Sequence, residues 1–144
     1  MLTIILRSTI ALLVLIPFYN PLQDADLKVT GLRTEYAVNP LGIDVRKPRL
    51  SWQIQSERRD VLQSAYHIRV AGSETDLAAG RNLIWDSGKV ASPESIQQVY
   101  GGPDLKSGQM YYWQVRVWDV SGKSSDWSAP AWWETGKLSD WKAS

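Results

Sequence analysis

The sequence predicts an all-β protein in which two antiparallel sheets pack face to face as a sandwich. Six or seven short segments alternate apolar with polar residues, which is the pattern of strands that bury one face. Turn-forming residues separate these segments about every 8 to 12 positions, and no helical period is longer than one turn. The 144 residues are enough for one ordinary domain but too few for an additional large catalytic barrel.

Three alternating segments precede residue 71. The first starts at Leu27, and Gly31 within it predicts a bulge or a bend. A turn at 39–42 precedes the second segment, and charged residues at 57–60 precede the third. The apolar residues that alternate along the second and third segments are Leu50, Trp52, Ile54, Tyr66, Ile68 and Val70.

A single helical turn and four further strands complete the prediction. Ser73 is a candidate N-cap and Gly80 a candidate terminating residue, with acidic residues in the turn between them. Short strands are expected at 83–85 and 95–100, and a last strand at 127–135. The longest strand, 110–120, places Tyr111, Trp113, Val115 and Val117 on one face and Tyr112, Gln114, Arg116 and Trp118 on the other.

Composition and charge exclude several classes of function. Lys and Arg number 16 against 15 acidic residues, and the two signs are interspersed, so no nucleic-acid partner is expected. No cysteine is present, which excludes disulfides, thiolate nucleophiles and zinc–thiolate sites. The one histidine, His67, should lie on the outward face of its strand as a surface residue. We therefore expect no metal site and no cofactor.

Residues 1–25 have the pattern of a signal peptide. Arg7 precedes a charge-free segment at 8–23, which is shorter than the roughly 20 apolar residues of a membrane-spanning helix. We therefore expect no stable membrane span and export to a periplasm or to the outside. The β-sandwich is assigned to 26–137, and 138–144 to the start of a linker that leads to a following domain.

The turn before the longest strand has a distinctive spacing, in which Leu105 precedes Tyr111 across 106–109. It resembles a turn of fibronectin type III domains, which are immunoglobulin-like sandwiches, where a tyrosine at the start of a strand bonds back to the backbone. The resemblance implies that Trp52 is the companion ring of the core. Trp113 shares the predicted buried face of Tyr111, so all three residues are assigned structural roles.

Asp126, Trp127 and Ser128 carry a second local resemblance. They resemble the tryptophan–serine corner of other fibronectin type III domains, in which a guanidinium group stacks on the indole. Arg116 is the partner we expect, with a contribution of about 0.5–1 kcal/mol if the pair is exposed. Arg116 and Trp127 are therefore also interpreted as structural residues.

Five ordered segments carry a more specific resemblance. They are NPLGID at 39–44, PRLSW at 48–52, WDSGKV at 85–90, YYWQVRVWD at 111–119 and WETG at 133–136. As a set they resemble the N-terminal module of bacterial α-L-rhamnosidases of glycoside hydrolase family 78, over most of the chain from Leu27 to Trp141. The resemblance implies a parent enzyme that hydrolyses terminal α-L-rhamnose from glycans or glycosides with inversion, using acidic residues on an α/α barrel much farther along its chain.

That barrel is not among these residues, so no catalytic residue is carried over and the chain alone should be inactive. Similar proteins continue after a tryptophan such as Trp141 into a further β domain, whereas this sequence stops at Ser144. A truncated gene, a frameshift or a fragment would each explain the ending. The chain is interpreted as a non-catalytic module whose partners are the downstream domains of the parent rhamnosidase.

The tryptophans leave a different interpretation open. An autonomous carbohydrate-binding module for rhamnose-containing glycans would stack sugars on Trp118 and Trp132, and the neighbours Trp132 and Trp133 must point to opposite sides of a regular strand. Alternatively, Trp132 and Trp141 pack against the remaining domains of the parent.

An enzyme in its own right would need two carboxyl groups roughly 6.5–9.5 Å apart, one of them with a raised pKa. In predicted turns a carboxylate instead accepts local backbone N–H groups, and we assign this structural role to the candidate acids. These are Asp44, Asp86, Asp104 and Asp119.

Overall fold

A computed structural model describes residues 27–138 of the protein. The predicted signal peptide, Trp141 and all of the predicted linker except Leu138 lie outside these residues. Within them the elements are β1 (Lys28–Thr34), β2 (Arg49–Gln55), β3 (Gln63–Ala71), α1 (Glu74–Ala79), β4 (Leu83–Asp86), β5 (Val90–Ala91), β6 (Gln98–Val99), β7 (Met110–Asp119) and β8 (Ala131–Glu134).

These strands form two sheets. The smaller sheet has the order β1-β2-β6, and the larger has the order β4-β3-β7-β8, with β5 also pairing with β3. All pairings between these strands are antiparallel. The predicted antiparallel two-sheet sandwich is therefore confirmed.

The hydrophobic core is centred on β7, which lies between β3 and β8 in the larger sheet. Its alternate residues Tyr111, Trp113, Val115 and Val117 are each no more than 2% exposed. The smaller sheet contributes Val29, Leu50 and Trp52 to the same cluster. Removing these apolar side chains from water is the main force that holds the two sheets together.

The bulge predicted in the first strand is present. The register of β1 against β2 shifts between Thr30 and Arg33. Gly31, between them, has a φ of +61°, a left-handed conformation that strains a residue with a Cβ atom. A Cβ at this position would also come within 2.9 Å of the Gln53 side chain, so both the conformation and the space favour glycine.

The predicted helical turn is also present, as α1. The Ser73 Oγ accepts the Asp76 N–H at 3.2 Å, and Gly80 ends the helix in a left-handed conformation. Gln114, on the outer face of β7, donates from Nε2 to the Leu77 carbonyl at 3.3 Å. The helix therefore covers the middle of the outer face of the larger sheet. No helix within the described part of the chain is long and apolar enough to cross a membrane.

The short strands differ from the prediction. The predicted strand at 95–100 pairs only at Gln98–Val99, since Gln97 has a φ of +56° and leaves the extended conformation. Val90–Ala91, which pairs with β3, was not predicted as a strand. Its two residues are too few to produce a visible alternation.

The last predicted strand, 127–135, was too long, because β8 begins only at Ala131. Before it, Ser125 and Ser128 fasten the chain to β7 with both backbone and side chain. Their N–H groups donate to the carbonyls of Val117 and Val115 at 2.9 Å, and their Oγ atoms accept the N–H groups of the same two residues at 3.1 Å. The Oγ atoms of Ser125 and Ser128 thus accept the N–H groups that strand carbonyls would accept in a regular β-sheet.

A backbone segment at 39–43 runs beside β8, which is an edge strand of the larger sheet. The Pro40 carbonyl accepts the Glu134 N–H at 2.9 Å, and the Ile43 N–H donates to the Glu134 carbonyl at 2.9 Å. The Gly136 N–H then donates to the Ile43 carbonyl at 2.7 Å. This segment therefore satisfies backbone groups that an open sheet edge would leave unpaired.

Candidate functional site

A column of alternating cations and indole rings lies on the outer face of the larger sheet. The guanidinium carbon of Arg69 is 4.4 Å, and that of Arg116 is 4.8 Å, from the centre of the Trp127 ring. Arg116 is also 4.9 Å from the centre of the Trp118 ring, and the Lys89 Nζ is 4.6 Å from it. All four contacts are within cation–π range. We call these five residues the cation–indole ladder.

The pairing of β3 with β7 positions the two arginines of this ladder. Arg69 faces Gln114 across the sheet, and His67 faces Arg116, so their side chains share the outer face. Trp127 comes from the segment that Ser125 and Ser128 fasten to β7. Sequence reasoning named Arg116 and Trp127 but missed Arg69 and Lys89, although Arg69 shares the outward alternation of His67.

His67 lies beneath the ladder instead of on open surface. Its ring meets that of Trp127 edge to face, with the ring centres 4.9 Å apart and the planes at 64°. Its Nε2 contacts the Asp86 Oδ1, and only 12% of its side chain is exposed. The predicted outward face of His67 is confirmed, but its side chain is largely covered, because the segment that follows β7 folds back over this part of β3.

The rings of the ladder are engaged by protein groups. Trp127 contacts two guanidinium groups and an imidazole, and Trp118 contacts Arg116 and Lys89. A sugar stacking on a ring face that one of these groups occupies would have to displace that group. The ladder therefore links β3, β7 and the segment that carries Trp127, and the contact of Arg116 with the Trp127 ring is the one expected from the sequence.

Trp118 and Trp132 do not form one platform. Trp132 pairs with Tyr112, six residues before Trp118 on β7, which corresponds to roughly 20 Å along the strand. Gln114, bonded to α1, lies between them. The Trp132 side chain is partly exposed, its backbone N–H donates to the Asn39 Oδ1 at 3.0 Å, and its neighbour Trp133 points into the core.

The other residues assigned structural roles lie in the core. The Trp52 Nε1 donates to the Gln63 Oε1 at 3.0 Å. The Tyr111 Oη accepts the Lys106 N–H at 2.8 Å, which is the bond to the backbone that the fibronectin-like turn implies. Trp113 is fully buried at the centre of β7.

Sequence reasoning missed a second aromatic group in the core. Trp133 stacks on Tyr111 with ring centres 5.3 Å apart, and Tyr100 meets the Trp133 ring edge to face at 5.9 Å. The Tyr100 Oη donates to the Pro103 carbonyl at 2.9 Å, and burial, with Tyr111 and Asp104 nearby, raises the pKa of Tyr100 to about 12. The alternation of inward and outward residues along β8 was the sequence signal that could have placed Trp133 in the core.

Asp119, which follows the ladder on β7, is held in its ionised form. Only 2% of it is exposed, and its Oδ1 accepts the N–H groups of Ser121 at 2.9 Å and of Lys123 at 3.0 Å. Arg58 donates to its Oδ2 at 2.9 Å. The Ser121 hydroxyl and Arg58, together with these N–H groups, outweigh burial and hold the pKa of Asp119 well below its usual range.

The pKa of Asp86 is also lowered. Burial raises the pKa of the Asp86 carboxyl, but the Gly88 N–H at 2.9 Å, His67 and Arg69 outweigh burial and hold it below its usual range. A general acid for glycoside hydrolysis needs a raised pKa, so neither Asp86 nor Asp119 suits that role. Among residues 27–138, no group of three or more His, Asp and Glu side chains is arranged to hold a metal ion.

The sequence of this chain is similar to part of several α-L-rhamnosidases. Residues 29–139 match the family model described as Rha78A-like, N-terminal immunoglobulin domain. An α-L-rhamnosidase of Streptomyces avermitilis is 49% identical over 100 residues, which are 69% of this chain and 10% of that protein. One of Formosa agariphila is 42% identical over 88 residues, which are 61% of this chain and 9% of that protein.

Solved structures of α-L-rhamnosidases also contain a domain similar to this one. The crystal structure of Streptomyces avermitilis α-L-rhamnosidase complexed with L-rhamnose has a TM-score of 0.75 and 47% identity, covering 81% of this chain and 11% of that chain. The α-L-rhamnosidase of Dictyoglumus thermophilum has a TM-score of 0.75 and 33% identity, covering 81% of this chain and 13% of that chain. The chain thus spans only about a tenth of the length of the relatives it matches, such as the 10% of the Streptomyces protein. It belongs to the family of Rha78A-like N-terminal immunoglobulin domains.

Proposed function

We propose that this domain is a non-catalytic module of an α-L-rhamnosidase, which supports the polypeptide that carries the hydrolytic site. The observation that carries the proposal is the match itself. It extends over residues 29–139, nearly all of the described chain, yet corresponds to only 10% of the Streptomyces enzyme. The larger remainder of such an enzyme provides ample room for a catalytic domain, which is typically 100–200 residues or more.

The chemistry of the described carboxyl groups supports a non-catalytic role. Asp86 and Asp119 have lowered pKa values, and so do Glu35, bonded to Arg49, and Asp76, bonded to Arg81. Each is occupied by a cation or by backbone N–H groups. We therefore place the hydrolysis of terminal α-L-rhamnose in the parent protein and outside this module.

We further infer that the chain is exported. The support is the charge-free segment 8–23 behind Arg7, which has the pattern of an export signal. Fusing residues 1–25 to a reporter enzyme that works only outside the cytoplasm tests this inference. Activity of the reporter supports export, and activity no higher than that of the reporter without the segment contradicts it.

A domain exchange tests the main proposal. In the Streptomyces avermitilis enzyme, residues 27–138 of this chain replace the matched domain, since both sheets and the core lie within this range. We expect the chimera to hydrolyse an aryl α-L-rhamnoside and to retain more activity after heating than the same enzyme lacking the domain. A chimera that is no more active and no more heat-resistant than the deletion variant would contradict the proposal.

A further inference from the structure

One end of the sandwich is defined by the segment at 39–43, which runs beside the last residues of β8. The backbone bonds from Pro40 and Ile43 bring it against Glu134 and Gly136. The approach is close, because a Cβ atom on Gly136 would lie 2.7 Å from the Gly42 carbonyl oxygen. Gly136 therefore lies next to this segment, and two residues later the Leu138 N–H donates to the Ser107 Oγ at 2.9 Å, in the turn before β7.

Large apolar side chains are exposed at this end. Tyr36 is 54% exposed, Val38 is 63% exposed and Leu41 is 69% exposed. We call these three residues the exit face. Isolated exposed apolar residues are ordinary on protein surfaces, but three within six positions of one segment are not randomly scattered.

The backbone around the exit face is fixed. Thr34 and Ala37 exchange backbone N–H···O bonds of 2.9 and 3.0 Å around Tyr36. The Asn39 Oδ1 accepts the backbone N–H of Trp132. Tyr36 and Asn39 also have positive φ values of 67° and 46°, a left-handed conformation that few non-glycine residues adopt. The backbone that carries these side chains is therefore held in one defined conformation.

We propose that the exit face is the surface on which the polypeptide that follows this domain in full-length α-L-rhamnosidases docks. The inference rests on the proposed function. Three observations select the occupant: the matched family domain is N-terminal, the relatives are about ten times longer than their match (10% of the Streptomyces protein), and Gly136, two residues before the end of the described chain, packs against Gly42, the neighbour of Leu41. A tethered domain at this position has a high effective concentration against the nearest apolar surface.

The opposite end of the sandwich provides matched controls. Leu62 is 64% exposed and Val120 is 68% exposed, and the Val120 N–H donates to the Leu62 carbonyl at 3.1 Å. Val120 follows the end of β7, whereas Glu134 pairs with Met110 at its beginning. The two ends are therefore separated by roughly 30 Å, the length of a ten-residue strand.

The test compares Val38→Asp and Leu41→Asp with Val120→Asp and Leu62→Asp. Each variant is made in the 144-residue chain and in the chimeric Streptomyces enzyme. Unfolding of residues 27–138 in urea is followed by hydrogen exchange and mass spectrometry, which distinguishes peptides of this module from the rest of the chimera. The quantity compared is the urea midpoint of the module in the chimera minus that in the isolated chain.

We expect the wild-type module to gain stability in the chimera. Val38→Asp and Leu41→Asp should abolish most of this gain, while Val120→Asp and Leu62→Asp should leave it unchanged. If the wild-type module gains nothing, the proposed supporting function fails. If it gains stability but the variants at the two ends behave alike, only the assignment of the exit face is overturned.

Discussion

The guanidinium group of Arg116 packs against the indole ring of Trp127, with its carbon 4.8 Å from the ring centre. One residue comes from the middle of β7, and the other comes from the segment that replaces the first half of the expected last strand. The contact therefore closes this segment onto the sheet. Because Arg116 also contacts Trp118, two tryptophans that composition alone could assign to sugar binding are part of the framework.

Arg116 should contribute measurably to stability because it contacts both Trp127 and Trp118. Arg116→Ala is expected to lower the free energy of unfolding by about 1–2 kcal/mol, through lost cation–π contacts and lost packing of the side-chain stem. Urea unfolding measures this value. Lys106→Ala, at an exposed position, is the control, and an equal effect of the two variants would refute the structural role of the ladder.

Two adjacent tyrosines provide a test of the turn before β7. Tyr111→Phe removes the acceptor of the Lys106 N–H and should reduce the free energy of unfolding by about 1–2 kcal/mol. Tyr112→Phe makes the same chemical change on the opposite, partly exposed face and should alter stability little. Denaturant titration of both variants decides the matter, and equal losses would be inconsistent with a special role of the Tyr111 hydroxyl.

The turn after β7 predicts a dependence of stability on pH. The pKa of Asp119 in the folded protein lies below its ordinary value of 3.8, so its contribution is fully present above that value and is lost as the pH falls through the folded pKa. Asp119→Asn should cost about 2 kcal/mol near neutral pH, and the difference from wild type should shrink on acidification below about pH 4.

Urea unfolding of wild type and Asp119→Asn near neutral pH and near pH 3 measures this change. The exposed carboxyl of Asp126 provides the control, as Asp126→Asn should be close to wild type in stability near neutral pH. A difference for Asp119→Asn that stays constant on acidification would contradict the account of this turn.

Sugar binding by the isolated chain should be absent or very weak. Trp118 is engaged by Arg116 and Lys89, and Trp132 lies roughly 20 Å away along the strand direction, so the two rings cannot hold one sugar. We expect no change in tryptophan fluorescence with millimolar L-rhamnose or rhamnose-containing oligosaccharides. Quenching that disappears in Trp118→Ala or Trp132→Ala would instead support a carbohydrate-binding module.

Alternation along the chain was sufficient to predict the long strands. β3 and β7 bury one face and are long enough to make the period of two visible, so Ile68 and Trp113 were placed correctly. The single turn of α1 followed from Ser73 and Gly80, because capping is a local property. The bulge at Gly31 followed from the same kind of local signal.

The errors arose where tertiary contacts override the local pattern. Ser125 and Ser128 bond to β7 at a spacing of three residues, so 127–130 follows the sheet without joining its ladder. Trp127, which covers His67, belongs to this same segment. The residues around position 67 therefore contain no pattern from which the covering could be predicted. Arg69 was missed as a ladder member because its partner is 58 positions away in the sequence.

Hydrolysis by the purified chain tests the central claim most directly. The 144-residue protein is incubated with an aryl α-L-rhamnoside alongside the full-length Streptomyces avermitilis enzyme, and release of the aryl group is recorded. The account predicts release by the full-length enzyme and none above the buffer blank by this chain. Release that copurifies with the chain and is lost in Asp86→Asn or Asp119→Asn would show that the module is itself an enzyme and would contradict the account.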